Sequence, residues 1–271
     1  MIVELDYVLG HFVSAWFDQP ALSGTTFKGG TCLRKCYFAD YRFSEDVDLT
    51  AHGPLQGRLV AEALESVSAD LERRAGLNLR VRPFRVQAIA DDPSAMALEA
   101  RVYFSGPLRR TGWPQSIRID ITGGEWLAFR PVVRRLIHPY SDGEALGPSA
   151  SRILCYDLRE VLLEKLRGLA GQRRYAIARD VYDVHSLLTR AGLDIGQLSL
   201  DAPRKFLNKN VSLNATTLES LLKREPEFRL DWARNVEKVV PGRDRVEFKP
   251  AWELTIRAMA ALVEAATQGM A

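Results

Sequence analysis

No apolar run in this chain reaches the roughly 18 to 20 residues that a membrane span needs, and its first residues carry no basic stretch followed by an apolar core and a small-residue cleavage site. Anchoring and export are therefore not expected. Cysteine is scarce: Cys32, Cys36 and Cys155 are odd in number and lack metal-finger spacing, and no other Cys or His is placed to complete a tetrahedral site. A disulfide scaffold is excluded, and a reducing cytoplasm fits best. His11, His52, His138 and His185 show no paired or metal spacing and read as structural. A large charge of one sign is missing too, because the formal net charge is only +3, too small by itself to argue for nucleic acid. There is no internal repeat and no low-complexity segment, which removes solenoids and linkers.

What is present is an ordinary globular composition, 46% hydrophobic and 26% charged, over 271 residues, enough for two modest domains that each bury a core. The choice of base is less ordinary. Of 37 Lys and Arg residues, 29 are Arg, whose guanidinium forks bind phosphate and carboxylate bidentately. A codon bias would give the same excess, so both readings stay open.

Apolar spacing predicts a helix over 5–17, ending near Pro20. A short strand at Thr25-Thr26-Phe27, a Gly29-Gly30 turn, a helix from Thr31 to Phe38 and a strand over 47–50 follow. Helical spacing returns over 58–75, then alternation marks strands at Leu77 to Ile89, Ala97 to Phe104 and Ser116 to Thr122. From about 153 onwards amphipathic helices take over, at 157–170, 174–190, 214–223, 226–239 and 250–267. The expected class is α+β, with a sheet domain over 1–150 and a mostly helical domain over 151–271.

The chemistry concentrates around a Gly-Gly-Thr turn followed by Asp46 and Asp48. On a strand, residues i and i+2 share a face, so both carboxylates project together. Two anions that close call for a cation, and magnesium prefers hard oxygens and completes its shell with substrate phosphates. A third carboxylate to hold the ion that activates the acceptor is offered by Asp120, which shares the polar face of its strand with Arg118 and Thr122, opposite Ile117, Ile119 and Ile121. The alternative is an ordinary solvated strand face. Lys28-Gly29-Gly30-Thr31 brings backbone N–H groups, a hydroxyl and an ammonium to a helix N-terminus, the parts needed to cradle a triphosphate. Ser44 suits either a phosphate hydrogen bond or a turn cap. Further on, Lys165 falls inside the apolar stripe of Leu158, Val161, Leu162, Leu166 and Leu169, which is costly unless it reaches an anion; an ion pair with Asp180 would satisfy it as well as a ligand would.

Phe27-Lys28-Gly29-Gly30-Thr31-Cys32-Leu33-Arg34 with Arg42-Phe43-Ser44-Glu45-Asp46-Val47-Asp48-Leu49 resembles the signature of the AbiEii and MenT nucleotidyltransferase toxins. Leu163-Glu164-Lys165-Leu166-Arg167 followed by Arg179-Asp180-Val181-Tyr182-Asp183 resembles their second, helical motif. Cys32 stands where the family usually has Ala, a mild departure.

The resemblance implies a polymerase-β-like nucleotidyltransferase sheet domain followed by a mostly helical domain. It implies an NTP substrate, a cognate antitoxin as partner, and transfer to the 3′ end of tRNA, which blocks translation. Asp46, Asp48, Asp120, Lys165 and Asp180 would be catalytic, the first three holding Mg2+, and Lys28, Gly29, Gly30, Thr31, Ser44 and Asp183 would bind nucleotide. In some relatives the serine at the place of Ser44 is phosphorylated by a partner, which would put negative charge beside the metal site. Arg173, Arg174, Arg179, Arg204, Lys205, Lys209, Lys223 and Arg224 are candidates for gripping RNA phosphates, or simply solvated helix faces. Two other readings compete: transfer to a small molecule on the same fold, and a non-catalytic module that binds nucleotide or antitoxin.

Overall fold

A computed structural model of the chain describes residues 2–89, 97–108, 112, 114–173, 175–242 and 245–268. Arg174 lies outside the described residues. The chain divides into two compact units, one of residues 1–125 and 131–156, the other of residues 126–130 and 157–271.

The first unit opens with α1 (Ile2–Phe17), apolar on nearly every side and correspondingly buried, with Phe12, Trp16 and His11 fully enclosed. Trp16 donates its indole N–H to Thr25 (3.1 Å), and the Thr25 hydroxyl donates to the Leu22 carbonyl (2.7 Å), which fixes the start of β1 (Thr25–Lys28). Then come α2 (Gly29–Cys32), continued by a π-helical turn over Leu33–Tyr37, then β2 (Asp46–Ala51) and α3 (Gly57–Ala75). Gly76, at φ 64°, ends α3 by turning its own N–H back onto Glu72 and Leu71 carbonyls, a left-handed cap that a side chain would strain. Four strands follow: β3 (Arg85–Ala88), β4 (Ala97–Phe104), β5 (Gln115–Thr122) and β6 (Val132–Arg134), and β7 (Ile153–Cys155) completes the unit.

Among the described residues these strands form one sheet in the order β3-β4-β5-β2-β1-β7-β6. β4 and β5 bury alternate residues, as their period-two pattern requires. Ile117, Ile119 and Ile121 join Val47, Leu49, Leu64 and Phe12 in the core, so the other face of β2 and β5 is left for polar groups.

The segment 77–89 departs from the continuous strand expected there. Leu77 and Leu79 are buried, and Asn78 makes a single bridge to Ser105, but pairing becomes regular only at Arg85. Pro83 intervenes, and a proline cannot donate to a ladder. The alternation reflected two leucines reaching the core rather than an unbroken strand. Ile153–Cys155 departs in the opposite sense. It pairs in parallel with β1 and antiparallel with β6, so the sheet unit runs past the expected boundary at 150 to residue 156.

The second unit is helical: α4 (Leu158–Arg167), α5 (Ala178–Thr189), α6 (Ala202–Leu207), α7 (Ala215–Lys223), α8 (Glu225–Asp231) and α9 (Phe248–Gln268). Asp157 caps α4 by accepting the Arg159 N–H. Asp231 accepts the otherwise orphaned Ala178 N–H at the start of α5 (2.7 Å). α9 packs along α5, and Phe228, Trp232, Phe248 and Trp252 interlock with ring centroids 5.4 to 5.7 Å apart. Among the described residues no helix is long and apolar enough to cross a membrane.

Candidate functional site

The polar face of the sheet is built by register. β2 runs antiparallel to β1 and parallel to β5, which places Lys28 opposite Asp48 and Asp48 opposite Asp120. Side chains opposite each other share a face, so one row crosses the sheet as Lys28, Asp48, Asp120 and then Glu99 of β4. Two residues along, the neighbouring row holds Asp46, Arg118 and Arg101. Two strands, β2 and β5, therefore bring Asp46, Asp48 and Asp120 together.

Arg118 answers the charge. One of its guanidinium nitrogens lies 3.0 Å from Asp46 and 3.1 Å from Asp120, tying the two carboxylates to a single cation. All three side chains are half-buried, at 29% exposed for Asp46, 26% for Asp120 and 41% for Arg118. Burial pushes the Asp120 carboxyl up to about 6; Arg118 opposes the shift, and Asp48 and Asp46 add to it. The donor set of clustered carboxylate oxygens is the kind that suits a hard divalent cation. A cavity of about 280 Å³, lined in part by Glu45, Asp46, Arg101, Ser116 and Arg118, opens beside them. Arg118, Glu99 and Arg101 were absent from the site residues expected from sequence. For Arg118 the signal was available, since it shares a strand face with Asp120; for Glu99 and Arg101 only pairing supplies it.

The Gly-Gly turn is closely surrounded by side chains. Gly29 adopts φ 77°, and a Cβ there would fall 2.0 Å from an Asp48 carboxylate oxygen. A Cβ on Gly30 would fall 2.5 Å from the Arg42 guanidinium and 3.0 Å from the Ser44 hydroxyl. The glycines thus make room for the side chains that surround them. Thr31 is buried and donates its hydroxyl to the Asp46 carbonyl at 2.5 Å, fastening the first turn of α2 to the start of β2. Lys28 is buried with its ammonium 5.5 Å from the centre of the Tyr156 ring, and the Tyr156 hydroxyl bonds Thr50 (2.6 Å). Ser44 is only 8% exposed. Behind the turn, buried Asp6 accepts from Arg34 at 2.5 Å and pairs with Lys35 at 2.9 Å, while Arg34 also donates to the Tyr41 carbonyl and lies over the Phe43 ring. That network sets the course of the chain into Asp46.

In the second unit Lys165 of α4 meets two carboxylates of α5: Asp180 at 2.6 Å and Asp183 at 2.9 Å. The side chains are 9%, 2% and 0% exposed. Asp183 is thus enclosed, as Asp180 is. Arg173 adds a second cation on Asp180.

Lys205 corrects the basic surface expected from sequence. It is fully buried, paired to Glu160 at 2.5 Å and donating to the Trp126 carbonyl at 2.8 Å, so it has no surface from which to reach RNA. Arg204 stacks on Trp126 (4.2 Å to the ring centre), and Arg224 pairs with Glu227. The histidines also contain a pairing that spacing did not reveal: His11 and His138 both bond Asp142, at 3.1 and 2.9 Å.

Comparison with known proteins agrees with this architecture. The chain is similar over 98–99% of its length to two structures from Helicobacter pylori: JHP933 (15% identity, TM-score 0.55, 94% of that chain) and a putative nucleotidyltransferase (14%, 0.52, 96%). MenT4, the nucleotidyltransferase toxin Rv2826c of Mycobacterium tuberculosis H37Rv, matches 97% of this chain and 84% of its own (21%, 0.53). At these identities the likeness is one of fold. Curated protein sequences gave no match. The sequence signature of the family described as "Nucleotidyl transferase AbiEii toxin, Type IV TA system" matches residues 12–258, and over that span, which holds both carboxylate clusters, the chain belongs to the AbiEii family of nucleotidyltransferase toxins.

Proposed function

We propose that this protein transfers a nucleotide from an NTP to an acceptor in a magnesium-dependent reaction, and that the acceptor is the 3′ end of tRNA, so that transfer blocks translation. The observation that carries the transferase reading is the register that sets Asp48 opposite Asp120 with Asp46 two residues away on the same face. Asp46, Asp48 and Asp120 would hold Mg2+, which when bound supplies charge neutralisation at the phosphates and at the attacking oxygen.

The chain's own groups do the rest. The acceptor hydroxyl attacks the α-phosphorus, its proton leaves to a base, and pyrophosphate departs with the electrons of the broken P–O bond. Catalysis of this kind is largely positioning and electrostatics. Gly29 lets Asp48 approach the backbone, and Thr31 fixes the turn against Asp46. Lys28 and Lys165 are the cations assigned to nucleotide phosphate, with Asp180 and Asp183 orienting Lys165. Ser44 and Asp183 complete the nucleotide-binding set.

The tRNA acceptor is supported by the family resemblance and the Arg excess. Arg173, Arg179, Arg204, Lys209, Lys223 and Arg224 would meet phosphates through a salt-dependent contact. A cognate antitoxin and a cytoplasmic location follow from the same family reading.

The test incubates purified protein with total tRNA, magnesium and each α-labelled NTP in turn, beside the Asp46→Ala protein. Label in tRNA that disappears with Asp46→Ala and with chelator is expected. NTP binding without label in tRNA would remove the tRNA acceptor and favour a small-molecule acceptor or a non-catalytic module.

A further inference from the structure

Three cysteines scattered in the sequence converge in the first unit: the Sγ atoms of Cys32, Cys36 and Cys155 all lie within 4.8 Å of one another. None is in a disulfide. Their exposures are 0%, 6% and 0%. Cys32 and Cys36 are four residues apart on α2 and its π-helical continuation, so they present their thiols from one helix face. Cys155 comes from β7, abreast of Phe27 on β1.

A single buried cysteine usually serves as a small apolar filler. Three thiols converging from two elements form a chelating set.

We propose that Cys32, Cys36 and Cys155 form a three-thiolate site for copper(I). A metal about 2.3 Å from each sulfur in a trigonal plane sets the sulfurs about 4 Å apart, so the observed cluster closes on an ion with shifts below an ångström. Among the described residues no His, Asp or Glu joins the three thiols, and their burial keeps water away. Zinc would lack its fourth ligand, whereas soft thiolates select copper(I). Each ligating thiol releases its proton to solvent, with no change of oxidation state. Because Cys32 follows Thr31, whose hydroxyl is bonded to the Asp46 carbonyl, the bound ion would tie the helix behind the Gly-Gly turn to β7. This inference is independent of the transferase reading.

The test titrates the full chain, reduced and under anaerobic conditions, with copper(I) against bicinchoninate. The expected result is one copper(I) withdrawn per chain, a higher melting temperature on loading, and affinity at least a hundredfold weaker in Cys32→Ala and in Cys155→Ala, each checked for native circular dichroism. Failure of the wild-type chain to withdraw copper(I) would overturn the proposal, whatever the variants do. Equal withdrawal by folded variants would also overturn it, as would one equivalent of zinc bound in preference to copper(I).

Discussion

Asp48 stands directly opposite Asp120 across the parallel pairing of β2 and β5, and Asp120 shares the Arg118 guanidinium with Asp46. Two of the three carboxylates on this sheet face are thereby held by a cation that belongs to the protein.

Arg118 occupies the carboxylates that Mg2+ would use, so the two cations compete. Arg118→Ala is expected to lower the magnesium concentration at half-maximal NTP binding about tenfold, a difference of about 1.4 kcal/mol. Calorimetric titration at several magnesium concentrations checks this, and an unchanged or higher requirement would remove Arg118 from the competition.

Gly29→Ala places a methyl group 2.0 Å from the Asp48 carboxylate oxygen at φ 77°. The left-handed backbone costs about 1–2 kcal/mol, and displacement of Asp48 by an ångström is expected to reduce turnover about a hundredfold or more. Melting curves and transfer assays on the same preparation separate the two effects; full activity would show that Asp48 need not sit against this turn.

Lys165 neutralises two enclosed carboxylates. Lys165→Met removes this cation from both and is expected to destabilise the second unit by about 3–5 kcal/mol, read by denaturant unfolding. Arg173→Ala removes a cation whose side chain is 44% exposed and should cost about 1 kcal/mol or less. Equal losses would mean that Lys165 is not the cation holding the pair.

Stability should depend on pH through His11. Burial lowers its pKa below 6.5 in the folded chain, so the unfolded chain takes up the proton first as pH falls. Its contribution is complete above about 6.5 and shrinks as pH drops from there towards the folded value. Melting temperatures measured between about pH 7.5 and pH 5, a range that spans the ordinary histidine pKa, should fall less steeply in His11→Gln. An unchanged slope would assign the dependence to other groups.

Ser44 is nearly enclosed beside Gly30. Ser44→Asp brings a larger, charged group among Asp46 and its neighbours and is expected to weaken NTP binding at least tenfold, while Ser44→Ala stays within about threefold, since it removes one modest hydrogen-bonding group. Equilibrium NTP binding measures both; tight binding by Ser44→Asp would argue against control by phosphate at this residue.

The site was legible where its residues are close in sequence. Asp46 and Asp48 share a face because any strand alternates, and the Ile117, Ile119, Ile121 stripe identified the opposite face of β5 before any pairing was known. Lys165 was conspicuous because a cation in an apolar stripe requires an anion. Burial of Lys205 by Glu160 was not legible, because a lysine on a polar helix looks alike whether its partner is water or a buried carboxylate. The three-residue strands β6 and β7 are too short to display a period, so the extent of the sheet unit was hidden.

Sequence alone determined the α+β class, the alternating faces of β4 and β5, the paired aspartates and the family signature, since each depends on neighbours within a few residues along the chain. Tertiary structure alone decided that Asp120 faces Asp48, that Arg118 bridges two carboxylates, that Gly29 yields space to Asp48, and that Cys155 meets the Cys32 and Cys36 thiols. Those relationships depend on strand order and register, which are fixed by how the apolar faces pack together and carry no local mark in the chain.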